Sequence, residues 1–208
     1  MEVVRKWYFS LGVLTLIAFV FLSFNFTSDL VVQFDKVSEE LLRGNEFFHS
    51  FQYIGESMWI VSAALVLILF LAFRRVNHRG MLFVLIAVGG GNYLNHMLKD
   101  WVQRSNPDIS THLISLNYPS DQAMVGLLYL FTYAYFFTNN NTSIKWCFGI
   151  WFSAILLTLF VGLSQIVSGY YSTDVIAGWL SGYTFFIIVV IWYEWRNRNM
   201  KKRIVQPE

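Results

Sequence analysis

Six stretches of the chain run without a single Asp, Glu, Lys or Arg: residues 7–28, 57–73, 80–98, 122–144, 146–173 and 175–193. Each approaches or exceeds the ~20 residues that cross a hydrocarbon core about 30 Å thick, the second stretch being the shortest. Lipid offers backbone N–H and C=O groups no partner, so such stretches must satisfy their hydrogen bonds internally, as helices. The pattern predicts an all-α integral membrane protein, with six transmembrane helices in a bundle at about 7–27, 57–73, 80–98, 121–138, 146–167 and 175–193, in a single domain, 1–208. Between the first two spans, Leu30, Phe34, Val37, Leu41 and Leu42 recur at helical spacing against Asp35, Glu39 and Glu40. That segment reads as an amphipathic helix, either lying on the membrane surface or packing as a connection between spans.

Composition agrees. Only 13% of the 208 residues are charged, about half of what a soluble domain carries. The single cysteine, Cys147, excludes an internal disulfide and a paired-cysteine metal site. No cofactor and no nucleic-acid partner is implied. The first span has a charged start but no small-residue cleavage site, so it is expected to remain as an uncleaved span.

The net charge of +2 conceals an asymmetry. Arg5, Lys6, Arg74, Arg75, Arg79, Lys145, Arg196, Arg198, Lys201, Lys202 and Arg203 fall in the termini and in the second and fourth connections, which share one side. Only Lys36, Arg43, Lys99 and Arg104 fall on the other. The positive-inside rule therefore predicts both termini in the cytoplasm of a multi-pass plasma-membrane protein, with 29–56, 99–121 and 168–174 facing outward. Trp residues near several span ends (Trp7, Trp59, Trp101, Trp146, Trp192, Trp195) suit interfacial anchors. Gly89-Gly90-Gly91 in the third span suits a close helix-packing surface.

Polar residues gather on the predicted outer side. Asn92, His96, Lys99 and Gln103 share one helical face at the end of the third span. Polar groups at that depth are costly unless they meet water or a partner. Lys99 snorkelling to the head groups is the plain alternative to a pocket, and a buried structural imidazole is the plain role for His96. Tyr118-Pro119-Ser120-Asp121-Gln122 stands just before the fourth span, where Ser120 or Asp121 can cap the helix. Ser168-Gly169-Tyr170-Tyr171-Ser172-Thr173-Asp174 stands before the sixth, and Asp174 suits an N-cap there.

Together the three clusters resemble the motifs of the type 2 phosphatidic acid phosphatase superfamily, in its six-span bacterial membrane branch. The first family motif is a Lys, six residues, then Arg-Pro; here Lys99 is followed by six residues, Asp100 to Ser105, and then Asn106-Pro107. The second is Pro-Ser-Gly-His, here Pro119-Ser120-Asp121-Gln122. The third is Ser-Arg, five residues, His, three residues, Asp. Counted back from Asp174, its His position is Tyr170 and its Arg position Ser164; alternatively Ser164-Gln165 is the Ser-Arg pair, with one residue deleted. The resemblance implies a metal-independent phosphatase acting at the outer face on phosphatidate, phosphatidylglycerol phosphate or undecaprenyl pyrophosphate. In such a site the third-motif His attacks phosphorus, the Asp orients it, the second-motif His protonates the leaving group, and Lys, two Arg and Ser hold the phosphate.

This chain keeps Lys99, Ser120 and Asp174 and lacks the nucleophile, the general acid and both arginines. An unperturbed phenol ionises near pH 10, so Tyr170 is a poor nucleophile, and Gln122 has no proton to transfer. General acid–base help alone is worth about 10²–10⁴-fold. Catalytic residues are thus expected to be none intact, with Asn106, Gln122, Ser164, Tyr170 and Asp174 as vestigial positions. Lys99, Arg104, Ser120 and His96 are the candidate ligand-binding residues. Three readings follow. The first is a non-catalytic relative binding a membrane lipid (a phospholipid or polyprenyl phosphate) or a membrane protein partner. The second is a lipid phosphatase rewired through His96 or His112 with Arg104. The third is a transporter or envelope-complex subunit, although no inverted repeat with broken midplane helices marks a transporter. Simultaneous loss of four chemical groups favours the first.

Overall fold

The computed structural model describes residues 2–74, 77–103, 118–139 and 143–205, and all its regular elements are helical. In chain order they are α1 (Glu2–Asn25), α2 (Asp29–Leu42), the short α3 (Glu46–His49), a 3-10 turn (Gln52–Gly55), α4 (Ser57–Arg74), α5 (His78–Val84), a π segment (Leu85–Gly90), α6 (Gly91–Val102), α7 (Asp121–Thr138), α8 (Ile144–Val167) and α9 (Ser172–Val205). Three helical runs are each long and apolar enough to cross a membrane: His78–Val102, Ile144–Val167 and Ser172–Arg198. Two bent pairs, α1 with α2 at 99° and the 46–55 segment with α4 at 51°, bring the number up to five. Helix α7 is not among them, because it opens on Asp121-Gln122 and carries three tyrosines.

Helix α7 is instead the centre of the bundle. Ten of its eighteen residues are buried, and it packs against α8, α9, α4 and α6. Apolar side chains gain little by leaving lipid for protein, so span association rests on close packing. Small residues supply it where α9 crosses α7: a Cβ on Gly178 would meet the Ser120 carbonyl oxygen at 2.7 Å, and one on Gly182 the Met124 carbonyl at 3.0 Å. Below this crossing the interior is aromatic. Phe83 stacks on Tyr135 with ring centroids 5.3 Å apart, and Phe131 meets Trp151 edge-on at 5.4 Å. Helix α1 joins α9 through Gly12, close against Ile187, and a 2.9 Å Thr15–Thr184 hydroxyl pair. Outward faces are apolar, with Val13, Ile17 and Phe21 on α1 and Phe148 and Phe152 on α8 all exposed. Trp59, Trp101 and Trp146 are exposed near helix ends and Trp195 is exposed within α9, whereas Trp192 is partly buried against the aromatic core and does not fit an anchor.

Helix α2 packs against α8 and α9, with Leu42 on the core. Its carboxylate Asp35 is buried, while Leu30 and Leu41 are about four-fifths exposed. The glycine triplet also divides its roles. Gly91 is a packing contact, since a Cβ there would run into Leu128, whereas Gly89 has open space around it. The π segment ends on this triplet; such bulges displace the helix register, often beside functional sites.

Candidate functional site

The turn into α7 is enclosed on every side. Tyr118, Pro119 and Ser120 are buried. The Tyr118 hydroxyl meets Ser23 Oγ of α1 at 2.9 Å, and its ring stacks on Phe19 at 6.1 Å. Asn95 of α6 donates from Nδ2 to the Pro119 carbonyl at 3.2 Å. The Ser120 N–H donates to the Asp174 carbonyl at 3.0 Å, which ties this turn to the start of α9. Ser120 caps α7 as expected, its Oγ accepting from the Ala123 N–H at 3.3 Å.

The start of α9 is held differently from the expectation. Helix α9 begins at Ser172, so Asp174 lies inside its first turn and is not the N-cap. Asp35 of α2 does the capping, its two carboxylate oxygens accepting from the Thr173 N–H and the Thr173 hydroxyl, both at 2.8 Å. A carboxylate there also meets the positive end of the helix dipole.

Around these fixed points, side chains from four elements converge. Lys99 Nζ lies 3.7 Å from Asp121 Oδ1, with the lysine side chain 15% and the aspartate 38% exposed. Gln165 Nε2, from the end of α8, donates to Gln122 Oε1. The Tyr170 N–H donates to the Gln165 carbonyl at 3.1 Å. Burial, reinforced by the negative charges of Asp121 and Asp174, holds the Tyr170 phenol above its ordinary pKa. A cavity of roughly 130 Å³ adjoins the cluster, lined among others by Ser57, Gly89, Asn92, Asp121 and Gln122.

The structure therefore gathers Lys99, Ser120, Asp121, Gln122, Gln165, Tyr170 and Asp174 at one end of the bundle. Ser164 is buried but directs its hydroxyl to the Val161 carbonyl at 2.7 Å, so Gln165 and not Ser164 reaches Gln122. His96 is exposed on α6, which corrects its reading as a buried structural imidazole. Arg104, Asn106, Pro107 and His112 lie outside the described residues. Among the described residues no group of His, Cys, Asp and Glu is arranged to hold a metal ion. The members of the cluster are amides, a hydroxyl, a phenol, a carboxylate inside α9 and one ion pair: a set that can hold a polar group by hydrogen bonds and paired charge.

Two contributors escape sequence reasoning. Asn95 stands four residues before Lys99, a spacing that puts it on the lysine's side of the helix, and it is fully buried. Asp35 sits on the polar side of α2, and nothing in its periodicity names the neighbour that covers it.

The sequence pattern of the PAP2 superfamily matches residues 80–198, more than half of the chain. This chain belongs to the PAP2 superfamily. Phosphatidylglycerophosphatase B of Bacillus subtilis (strain 168) is 26% identical over 149 residues, which are 70% of this chain and 73% of that protein. The crystal structure of a transmembrane PAP2-type phosphatidylglycerolphosphate phosphatase from Bacillus subtilis superposes with a TM-score of 0.77, at 24% identity, over 88% of this chain and 96% of that one. The fold is accordingly that of a transmembrane PAP2 protein, and the cluster lies within or beside the matched segment, with Asp35 contributed from before it.

Proposed function

We propose that this PAP2 protein keeps the lipid-phosphatase fold without turnover and binds a membrane lipid at the outer face, with both termini cytoplasmic and six spans. One observation carries the reading: Gln122 and Gln165 hydrogen-bond to one another where the family's second-motif His and third-motif Arg would stand, in the register with one residue deleted. An amide pair neither shuttles a proton nor supplies positive charge. Two further features agree. Tyr170, in the nucleophile's place, is held as a neutral phenol, and Lys99 is already paired with Asp121. Nucleophile and general acid act as a unit, so losing both removes more than the ~10²–10⁴-fold of acid–base help alone.

A second reading is favoured by the Bacillus subtilis relatives named as phosphatidylglycerophosphate phosphatases. In it, this chain hydrolyses a lipid phosphate through a rewired site, with His96 or His112 as nucleophile and Arg104 on the phosphate; the exposure of His96 keeps that side chain accessible. The two readings part on one assay. Purified protein in detergent is given phosphatidate, phosphatidylglycerol phosphate or undecaprenyl pyrophosphate, and phosphate release is measured beside Lys99→Ala. The non-catalytic reading expects release no faster than the detergent blank for all three. Turnover that Lys99→Ala abolishes sinks it and sends the search for a nucleophile to His96 and His112.

A further inference from the structure

A second opening lies at the other end of the bundle, where α8 begins. Near the motif end α8 is covered by α3 and the residues after it, with Phe160 packed on Phe47, Phe48 and Phe51, the last at 4.7 Å between ring centroids. Towards its start, α8 instead borders a cavity of roughly 600 Å³, floored by Tyr129, Tyr133 and Phe137 of α7 and bounded by Ala63 of α4. Gly149 and Ser153 line it from α8 and are both exposed, and a Cβ on Gly149 would meet nothing within 4 Å. The tyrosine hydroxyls are already spent. Tyr129 donates to the Ile54 carbonyl at 3.1 Å and Tyr133 to the Ala63 carbonyl at 2.6 Å, which leaves the groove apolar along its length. Its one charged lining residue is Lys145, on the first turn of α8 beside the exposed Trp146. Among the described residues no acid lines the groove. The undescribed residues of the two connections at this end, 75–76 and 140–142, hold one arginine and no acid.

Depth decides what can lie there. The lining runs along α8 from Lys145 to Leu157, about 18 Å at 1.5 Å per residue. Half of a ~30 Å hydrocarbon core is about 15 Å, so the groove extends from the interface to about the midplane, the depth of one leaflet. A spanning helix from a second copy needs a seam through both leaflets, and beyond Leu157 the surface of α8 is taken up by the phenylalanine cluster. A hydrocarbon chain needs a single leaflet. We propose that this groove holds one acyl chain of a phospholipid with an anionic head group, its phosphate beside Lys145, in the leaflet where α8 begins. Close packing is what holds apolar surfaces together where lipid is the solvent, and Gly149 and Ser153 let the chain approach the α8 backbone. Lys145 has the length to reach the head group while its stem stays apolar, and Trp146 stands at the same level as an interfacial ring. The assignment requires that Ile144–Val167 cross the membrane and is independent of what the motif end binds or hydrolyses.

Native mass spectrometry of the full chain in detergent, titrated with dioleoyl-phosphatidylglycerol or dioleoyl-phosphatidylcholine, reads bound lipid equivalents directly. Wild type is compared with Gly149→Leu, Lys145→Met and Lys99→Met. Phosphatidylglycerol is expected to bind about fivefold more tightly than phosphatidylcholine, the effect of one lysine near an anionic head group. Gly149→Leu places a side chain in open space and fills the groove without a clash. With its thermal unfolding midpoint unchanged, it is expected to lose one equivalent of phosphatidylglycerol. Lys145→Met is expected to keep a bound lipid and to lose the preference between the two. Lys99→Met, at the motif end, is expected to leave that equivalent in place. An equivalent lost in Lys99→Met and retained in Gly149→Leu belongs to the motif end and overturns the groove assignment. Equal binding of the two lipids by wild type, or a Lys145→Met profile identical to it, overturns the anionic head group. A wild-type dimer that Gly149→Leu dissociates gives the groove to a second copy and overturns the lipid altogether.

Discussion

The two ends of the α7–α9 pair are built on different principles. Away from the motifs, the interface is filled by rings: Phe83, Phe131, Tyr135 and Phe186 pack edge-on and stacked, with Trp151 and Tyr193 around them. At the motif end the same helices approach through glycine, Gly178 against the Ser120 carbonyl, and the space is given to polar side chains. Aromatic packing depends on ring shape and orientation and makes no demand on the hydrogen bonds a few turns away. The polar end depends on which hydrogen bonds its members can complete. A chain can therefore exchange an imidazole for an amide at one end and keep its fold through the other, provided the exchanged groups satisfy each other. Gln122 and Gln165 share one hydrogen bond, with the buried Gln165 Oε1 left without a partner among the described residues.

That contrast can be broken most forcefully at Phe83. Phe83→Ala is expected to destabilise the protein by about 3 kcal/mol, the low side of the range for such deletions because only packing is lost in a bilayer. A lower unfolding midpoint in detergent, with lipid binding retained below it, would be the signature. If binding fell while the fold persisted, the two ends would not be independent. Asp35→Ala tests the polar end with an effect of about 1 kcal/mol, the usual worth of a helix cap. Amide hydrogen exchange should rise at 170–176 and stay unchanged around Phe131; uniform protection throughout would remove the capping role. The smallest effect is expected at Tyr170. Burial and two neighbouring carboxylates favour its neutral form, so its folded pKa exceeds the unfolded ~10 and the phenol stays protonated at any pH below that value. Raising the pH from 7 to 9 should therefore elicit no phosphate release, and Tyr170→Phe should leave lipid affinity within about twofold, the loss of one half-buried hydroxyl. A pH-dependent turnover absent from Tyr170→Phe would restore that residue as a nucleophile.

Much of the architecture is readable from charge-free runs alone, because a bilayer leaves helices as the option for an uninterrupted apolar stretch. The amphipathic spacing of α2 is equally plain, yet its orientation is not. Periodicity says which residues share a face, and says nothing about whether the neighbour is lipid, water or the Thr173 end of another helix. The same limit applies to Asp174, read as a cap because it stands near a helix start, when the capping group arrives from 138 residues earlier in the chain. Ser120 was legible because its partner is three residues away. Gln165 became definite only when the fold brought it to Gln122. The glycine pair at 178 and 182, by contrast, is a small-residue spacing open to anyone reading the chain.

Helix α9 runs unbroken for 34 residues, about 51 Å at 1.5 Å per residue, against a hydrocarbon core of ~30 Å. With its first turn held by Asp35 at the motif end, an α9 that enters the hydrocarbon there would leave roughly 20 Å of helix beyond it at the other end. In the proposed orientation that length carries Arg196, Arg198, Lys201, Lys202 and Arg203 in sequence and would act as a positively charged stilt. A stilt of fixed length and charge would set the depth at which the whole bundle floats, and a shift in the thickness or charge of the surrounding bilayer would be transmitted along it as a vertical displacement of the motif end.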